Sequence, residues 1–127
     1  MKRYLLFLLL PYVLLAEHVM WQSDYEKARV QALQENKGIM VFLIEQECLQ
    51  CTKMLQTTFM NQAYIAKINE VYVAVLITKD QQSSYPIEML YTVEYPTTFF
   101  LTSKEGYERE ALRGYATPEM FKNYLQK

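Results

Sequence analysis

The clearest pattern of apolar and polar positions lies near the middle of the chain. Six apolar residues at positions 39–44 form a short continuous run that is typical of a buried strand. Polar residues at positions 45–47 follow. Beyond them, side chains recurring at intervals of three and four predict an amphipathic helix, with an expected apolar face of Leu49, Thr52, Leu55, Phe59 and Met60. The sequence therefore predicts a strand that leads directly into a helix.

Two further helices and a second strand surround this unit. Ser23 and Glu26 have the S-x-x-E spacing of a capping box, which predicts a helix that we expect Gly38 to end. Asn61 is the expected cap of a helix at positions 62–69. The apolar, β-branched run at positions 71–78 then predicts a strand buried on both faces. Two such strands joined by helix predict a parallel β-α-β unit with a right-handed crossover.

The last third of the chain predicts an antiparallel hairpin and a terminal helix. A polar loop precedes Pro86, which is expected to open a short helix at positions 87–91. Pro96 stands directly before the apolar strand that begins the hairpin at positions 97–113. Gly114 should break the second strand, and Thr117 should cap the final helix, whose expected apolar face is Met120, Phe121, Tyr124 and Leu125.

The N-terminal residues predict export. A short basic start is followed by the apolar residues 4–16, as in a secretory signal, so residues 1–16 are interpreted as a signal peptide cut after Ala16. An uncleaved membrane anchor is the alternative, although 13 apolar residues are short for a bilayer-spanning helix. Residues 17–127 are then a single domain, expected to be a monomer. No polybasic patch occurs, so nucleic acid is not expected as a partner.

The two cysteines carry the candidate chemistry. Cys48 and Cys51 have C-x-x-C spacing at the start of the predicted helix, where free backbone N–H groups stabilise a thiolate. Cys48 is therefore the expected nucleophile and Cys51 the resolving thiol. A zinc site would need four ligands, whereas His18 is the sole histidine, so no metal is expected. A static disulfide remains an alternative, although so short a ring stabilises a fold weakly.

Cys48-Leu49-Gln50-Cys51 follows a buried strand, Tyr95-Pro96-Thr97 opens the hairpin, and Gly114 precedes a terminal helix. On these motifs the chain resembles the thioredoxin superfamily. The C-x-x-C-x-x-M pattern from Cys48 to Met54, followed by Thr58-Phe59, resembles specifically its exported bacterial members. The resemblance implies a three-layer α/β fold, with a central mixed sheet of about four strands and helices on both faces. It further implies a cis Pro96 facing the disulfide. Substrate contacts are implied at Tyr95, Thr97, Leu49 and Gln50.

The chain also departs from the family pattern. Typical thioredoxins have Trp-Cys-Gly-Pro-Cys, and a buried acid six residues before the first cysteine; here the motif is Glu-Cys-Leu-Gln-Cys, and Phe42 replaces the acid. Glu45 and Glu47 flank the site, and negative charge disfavours a thiolate. We therefore expect a less acidic Cys48 and a dithiol that reduces substrates. Glu45 is either a substitute proton acceptor or a solvated turn carboxylate.

These observations predict a periplasmic thiol-disulfide oxidoreductase that reduces disulfides of exported proteins, with electrons from a membrane donor and no cofactor. From a different class, the chain could be a non-catalytic binding module, holding a partner through Tyr85, Tyr91, Tyr95 and Tyr115 while the cysteines rest as a disulfide. An oxidase or isomerase of the same fold is the third alternative.

Overall fold

The computed structural model describes residues 18–79, 92–101 and 109–125. The strands are β1 (Trp21–Gln22), β2 (Gly38–Ile44), β3 (Tyr72–Thr78), β4 (Thr97–Leu101) and β5 (Arg109–Arg113). The α-helices are α1 (Tyr25–Glu35), α2 (Leu49–Gln56), α3 (Gln62–Val71) and α4 (Pro118–Phe121), with 3-10 turns at Thr58–Met60 and Lys122–Tyr124. The expected α/β class is confirmed. The predicted segments at residues 1–16 and 87–91 lie outside the described residues.

One mixed sheet organises these elements in the order β1-β3-β2-β4-β5. The parallel pairing of β2 with β3 and the antiparallel β4–β5 hairpin are confirmed. The sheet has five strands rather than about four, because β1 pairs with the edge of β3 through Trp21 and Gln22. A strand of two residues is too short to show an alternating pattern in the sequence. It is recognised as a strand only by its pairing with β3.

The boundaries of α1 differ from those expected. Asp24, not Ser23, is the N-cap, and its carboxylate accepts a hydrogen bond from the Lys27 backbone N–H at 3.1 Å. The helix ends before Asn36, which adopts left-handed dihedral angles. Gly38 is therefore not the terminator of α1 but the first residue of β2. Two adjacent residues could cap this helix, and the carboxylate of the second does so.

The buried face of α2 also differs from the expected one. Leu49 is 87% exposed and Thr52 is exposed, whereas Cys51 and Met54 are buried. The helix ends at Gln56, and a 3-10 turn follows in which Thr58 is buried, Phe59 is buried as expected, and Met60 is exposed. Residues 51, 54 and 58 are spaced at helical intervals, just as the expected residues are. The structure shows that the stripe formed by residues 51, 54 and 58 faces the sheet.

The remaining elements follow the sequence with one change of boundary: α3 continues two residues beyond its expected end to Val71, so β3 begins at Tyr72 rather than at residue 71. The Asn61 side chain caps α3 by accepting a hydrogen bond from the Ala63 N–H at 3.0 Å. Thr117 is the N-cap residue of α4, although its side chain forms no capping hydrogen bond. Phe121 and Leu125 are buried as expected, whereas Met120, which was expected on the same apolar face, is exposed. Within the part of the chain that the structure describes, no helix is long and apolar enough to cross a membrane.

The sheet separates two apolar cores. On one face, Ile39, Val41 and Leu43 of β2 pack with side chains of α1. On the other face, Met40 and Phe42 pack with side chains from α2, α3 and α4. Since β2 is buried on both faces, its carboxyl end is a fixed point from which the turn leading to Cys48 begins. Cys48 lies four residues beyond that end.

Candidate active site

A disulfide joins Cys48 and Cys51 at the start of α2. Cys48 is the N-cap residue, with extended dihedral angles, and its sulfur accepts a hydrogen bond from the Cys51 backbone N–H at 3.0 Å. Both cysteines therefore lie in the first turn of the helix, as expected from the helical periodicity that follows Cys48. A sulfur in this position can accept the N–H groups that lack a partner within the first turn of the helix, and these groups stabilise a thiolate more than a thiol.

The two sulfur-bearing residues differ in exposure. Cys48 is half-buried, whereas Cys51 is 2% exposed and faces the sheet. Leu49 and Gln50 between them are both exposed. Both side chains are therefore accessible from solvent, and their contact with a substrate stays a prediction.

The strand register brings the Pro96 segment to the same edge of the sheet as Cys48. Thr97 pairs with Leu43 across β4 and β2, so Pro96 falls opposite the last residue of β2. The Tyr95–Pro96 peptide bond is cis. The Pro96 carbonyl accepts a hydrogen bond from the Gly114 N–H at 2.7 Å. This bond ties the start of the hairpin to its end.

Hydrogen bonds hold the chain before Pro96 in a tight turn. The Thr92 hydroxyl bonds the Glu94 carbonyl at 3.0 Å and the Thr97 hydroxyl at 2.9 Å, and both threonines are buried. The Thr97 hydroxyl also donates to the Glu94 carbonyl at 2.6 Å. Val93 at the tip of this turn is 79% exposed. Sequence reasoning missed Thr92 and Val93, although an apolar residue in a polar turn is a usable signal.

Two lysine side chains lie over tyrosine rings beside the site. Lys79 Nζ is 5.5 Å from the centre of the Tyr95 ring, and Lys53 Nζ is 4.7 Å from that of Tyr115. The Tyr115 hydroxyl is 3.1 Å from Thr57 Oγ1, and this hydrogen bond lowers the pKa of Tyr115. The lysines thus place positive charge over two of the tyrosines that the sequence analysis named as possible partner contacts.

The carboxylates flank the disulfide from the turn between β2 and α2. Glu45 is half-buried and Glu47 is exposed. Within the described residues, no hydrogen bond joins the Glu45 carboxylate to either cysteine, so its role as a proton acceptor stays a prediction. Glu47 has a φ of 54°, in the left-handed region that few residues other than glycine adopt readily.

An aromatic cluster occupies the position where the family has a buried acid. The Phe42 ring lies 4.8 Å from the Phe59 ring and 5.9 Å from the Trp21 ring, measured between centroids. Phe42 is fully buried. The sheet beneath α2 therefore presents an apolar ring at this position. Across the described ranges, no group of three or more His, Cys, Asp or Glu residues could hold a metal ion.

Comparisons with known proteins agree with this geometry. A family model described as a thioredoxin-like domain matches residues 25–127. A comparison with curated proteins found no match. Many solved structures are similar. A thioredoxin from Thermus thermophilus is 19% identical, with a TM-score of 0.69 and coverage of 85% of each chain.

Two further similar structures are those of DsbH oxidoreductase and of a domain of DsbD. DsbH oxidoreductase is 17% identical, with a TM-score of 0.70, and the match covers 87% of this chain and 85% of that one. The C-terminal domain of DsbD from Neisseria meningitidis, in the oxidised form, is 17% identical with a TM-score of 0.63, covering 84% and 97%. At these identities the structural similarity establishes the fold alone.

Proposed function

Since the chain belongs to the thioredoxin-like domain family, we propose that it is a thiol-disulfide oxidoreductase that reduces disulfides of exported proteins in the periplasm. The observation that carries the proposal is the hydrogen bond from the Cys51 N–H to the Cys48 sulfur at the helix start. In the reduced protein the same N–H group is available to a Cys48 thiolate. The thiolate is the species that attacks disulfides.

The exposures of the two cysteines support their separate roles. The Cys48 thiolate attacks one sulfur of the substrate disulfide, and the other substrate sulfur leaves as a thiolate that takes a proton from water. The buried Cys51 thiol then loses its proton and attacks the Cys48 sulfur of the mixed disulfide. The remaining substrate thiolate leaves and is protonated. The substrate gains two electrons, and the protein is left with the Cys48–Cys51 disulfide.

The substrate chain is proposed to lie beside the Pro96 segment. Tyr95 and Thr97 flank the proline, and Leu49 and Gln50 present exposed side chains on the other side of Cys48. The hydrogen-bonded turn around Thr92 fixes the backbone before Pro96. A rigid segment at this position loses little conformational freedom when it binds an extended peptide.

The direction of electron flow is proposed from the local charges. Glu45 and Glu47 oppose the stabilising effect of the helix start on a Cys48 thiolate. A less stable thiolate makes the dithiol a better reductant and a poorer oxidant. The reductant would itself need electrons, for which we propose a membrane donor. Export is supported by the apolar residues 4–16 that follow a basic start.

Replacing Cys48 tests the proposed activity. Cys48→Ser should abolish the protein's reduction of a disulfide in the presence of dithiothreitol, because the one remaining sulfur, that of Cys51, is buried and cannot reach a protein substrate. Cys51→Ser is the matched variant, and it should instead accumulate a mixed disulfide through Cys48. Circular dichroism checks that both variants keep the fold. Activity that survives in Cys48→Ser would refute the assignment.

The redox equilibrium of the pair tests the direction. A reduction potential near about −270 mV supports a reductase, whereas one near about −120 mV indicates an oxidant. A pair that stays oxidised below roughly −300 mV would favour the non-catalytic binding module. In that case Tyr95 and Tyr115, whose rings lie under lysine side chains, become the first contacts to test.

A further inference from the structure

One buried hydroxyl on the face of the sheet below α2 has no hydrogen-bond partner. Thr98 is fully buried, and its Oγ1 forms no hydrogen bond with any residue that the structure describes. The other buried threonines differ: the Thr58 hydroxyl donates to the Ala116 carbonyl at 2.7 Å, and Thr92 and Thr97 bond each other. Because a buried hydroxyl without a partner is unfavourable, this exception requires an explanation.

The strand register places the Thr98 side chain on the same face as the disulfide helix. Thr98 is directly opposite Phe42 of β2 and Leu112 of β5, and opposed residues in antiparallel strands share a face. Phe42 and Leu112 both belong to the core that contains Met54 of α2. Thr98 is therefore on the side of the sheet that α2 covers.

Its position along the strand brings Thr98 towards the sulfur-bearing end of that helix. The next residue of β4 on the same face is Phe100, which pairs with Met40 further from the carboxyl end of β2. Met54 lies one helical turn after Cys51, and both side chains are buried against the sheet. Of the β4 side chains on this face, Thr98 is thus nearer to the turn of α2 that carries Cys51.

We propose that the Thr98 hydroxyl serves the resolving cysteine: when the disulfide opens, Thr98 donates a hydrogen bond to the Cys51 thiolate. In the oxidised protein the Cys51 sulfur is neutral and a weak acceptor, which explains why the hydroxyl is unpaired in this state. In the reduced protein, a thiolate in the same buried position is a strong acceptor. The proposal deepens the proposed function and rests on it for its role in the reaction.

This hydroxyl takes over part of what a buried acid would do. Phe42, opposite Thr98, cannot accept or donate a proton, so the Cys51 thiol releases its proton either to water or to the predicted acceptor Glu45. Thr98 does not remove that proton. It stabilises the thiolate that remains, which then attacks the Cys48 sulfur of the mixed disulfide and displaces the substrate thiolate.

The test uses Cys48→Ser, in which Cys51 is a free thiol. The Cys51 pKa is measured from thiolate absorbance with Thr98 present and in Thr98→Val, which has nearly the same shape and no hydroxyl. Losing a hydrogen bond to the charged form should raise this pKa by roughly one unit. Thr98→Ser keeps the hydroxyl and should restore the lower pKa.

Thr58→Val is the matched control, because it also removes a buried hydroxyl from this face but one that already has a partner. It should lower the melting temperature and leave the Cys51 pKa unchanged. The proposal would be overturned if the Cys51 pKa in Cys48→Ser were the same with and without Thr98→Val, or if Thr58→Val shifted this pKa as much as Thr98→Val does. If Thr98→Val does not fold, Thr98→Ala provides the same comparison against Thr98→Ser.

The result of the Cys51 pKa comparison can be distinguished from the result of the disulfide-reduction test. The pKa of Cys51 in Cys48→Ser does not depend on catalysis. Failure of the unmodified protein to reduce disulfides would therefore refute the oxidoreductase assignment and leave the pKa comparison to decide the role of Thr98. Where the activity holds, Thr98→Val should also slow the release of substrate from the mixed disulfide.

Discussion

The two ends of β2 are built differently. At its start, Asn36 takes the left-handed conformation that ends α1, and asparagine adopts this conformation more readily than most residues. Gly38 then passes close to its neighbours, since a Cβ there would lie 2.9 Å from the Leu101 carbonyl oxygen. At this end each residue type suits its position.

At the other end of β2 the residues suit their positions poorly. Glu47 has a φ of 54° directly before Cys48, although glutamate seldom adopts such angles. The Thr98 hydroxyl nearby is buried without a partner among the described residues. Unfavourable features of this kind persist when the surrounding structure holds them in place, and they concentrate at functional sites. The contrast indicates that one end of β2 serves stability and the other serves the chemistry of the disulfide.

The largest effect that we expect is a loss of stability at high pH, and it arises at the start of β2. Tyr72 pairs with Gly38, and its hydroxyl donates to the Tyr124 carbonyl at 2.6 Å. Burial raises the pKa of Tyr72 to about 12 from the ordinary value of 10.0. A group whose pKa is raised by folding stabilises the fold below its unfolded pKa, and this stabilisation is lost as pH rises through the folded pKa.

The free energy of unfolding should therefore fall between about pH 10 and 12, by at most roughly 2–3 kcal/mol from this residue. Urea denaturation of the oxidised protein at several pH values measures the slope. Tyr72→Phe should be less stable at neutral pH, because the Tyr124 carbonyl loses its donor, but its stability should decline less steeply above pH 10. An identical alkaline slope in both proteins would contradict the burial of an un-ionised Tyr72 hydroxyl.

A second expected effect tests the close approach at Gly38. Gly38→Ala places a methyl group 2.9 Å from the Leu101 carbonyl oxygen and 3.1 Å from carbons of the Tyr72 ring. Overpacking of this kind lowers the free energy of unfolding by about 1–3 kcal/mol. The gain from a less flexible unfolded chain is smaller, about 0.4–1 kcal/mol, so the net effect should be destabilising. Chemical denaturation measures it, and a neutral or stabilising result would show that β2 and β4 separate easily at this point.

The sequence predicted those parts of the fold that depend on local pattern. The apolar runs of β2 and β3 were identified because both strands are buried on both faces, which leaves no polar position to interrupt them. The helix start at Cys48 followed from the apolar residues that recur at intervals of three and four after it. The choice between two helical stripes of α2 could not be predicted, because only contact with the sheet distinguishes Met54 from Leu55 as the fully buried residue.

The parts of the candidate site that the sequence did not predict depend on contacts between residues that are distant along the chain. Trp21 of β1 reaches Phe42 and Phe59 only because the edge strand pairs with β3. That the Thr98 hydroxyl has no hydrogen-bond partner in the described ranges could be predicted only by knowing the position of every polar group around it. A threonine within the apolar run of β4 is a sequence signal, but β-branched threonine is also an ordinary strand residue, so the signal alone does not indicate chemistry.

The smallest expected effect returns to Glu47 and separates its conformation from its charge. Left-handed angles are unfavourable for a residue with a Cβ, so Glu47→Gly should stabilise the oxidised protein by about 0.5–1 kcal/mol after the greater flexibility of glycine in the unfolded chain is subtracted. Glu47→Gln keeps the unfavourable conformation and removes only the charge, so it should leave the free energy of unfolding nearly unchanged. Gln46→Gly is the control in the same turn. Residue 46 has no positive φ, and glycine there should be slightly destabilising. If Glu47→Gly and Gln46→Gly destabilise alike, the turn before Cys48 is not strained, and the contrast between the two ends of β2 rests on Thr98 alone.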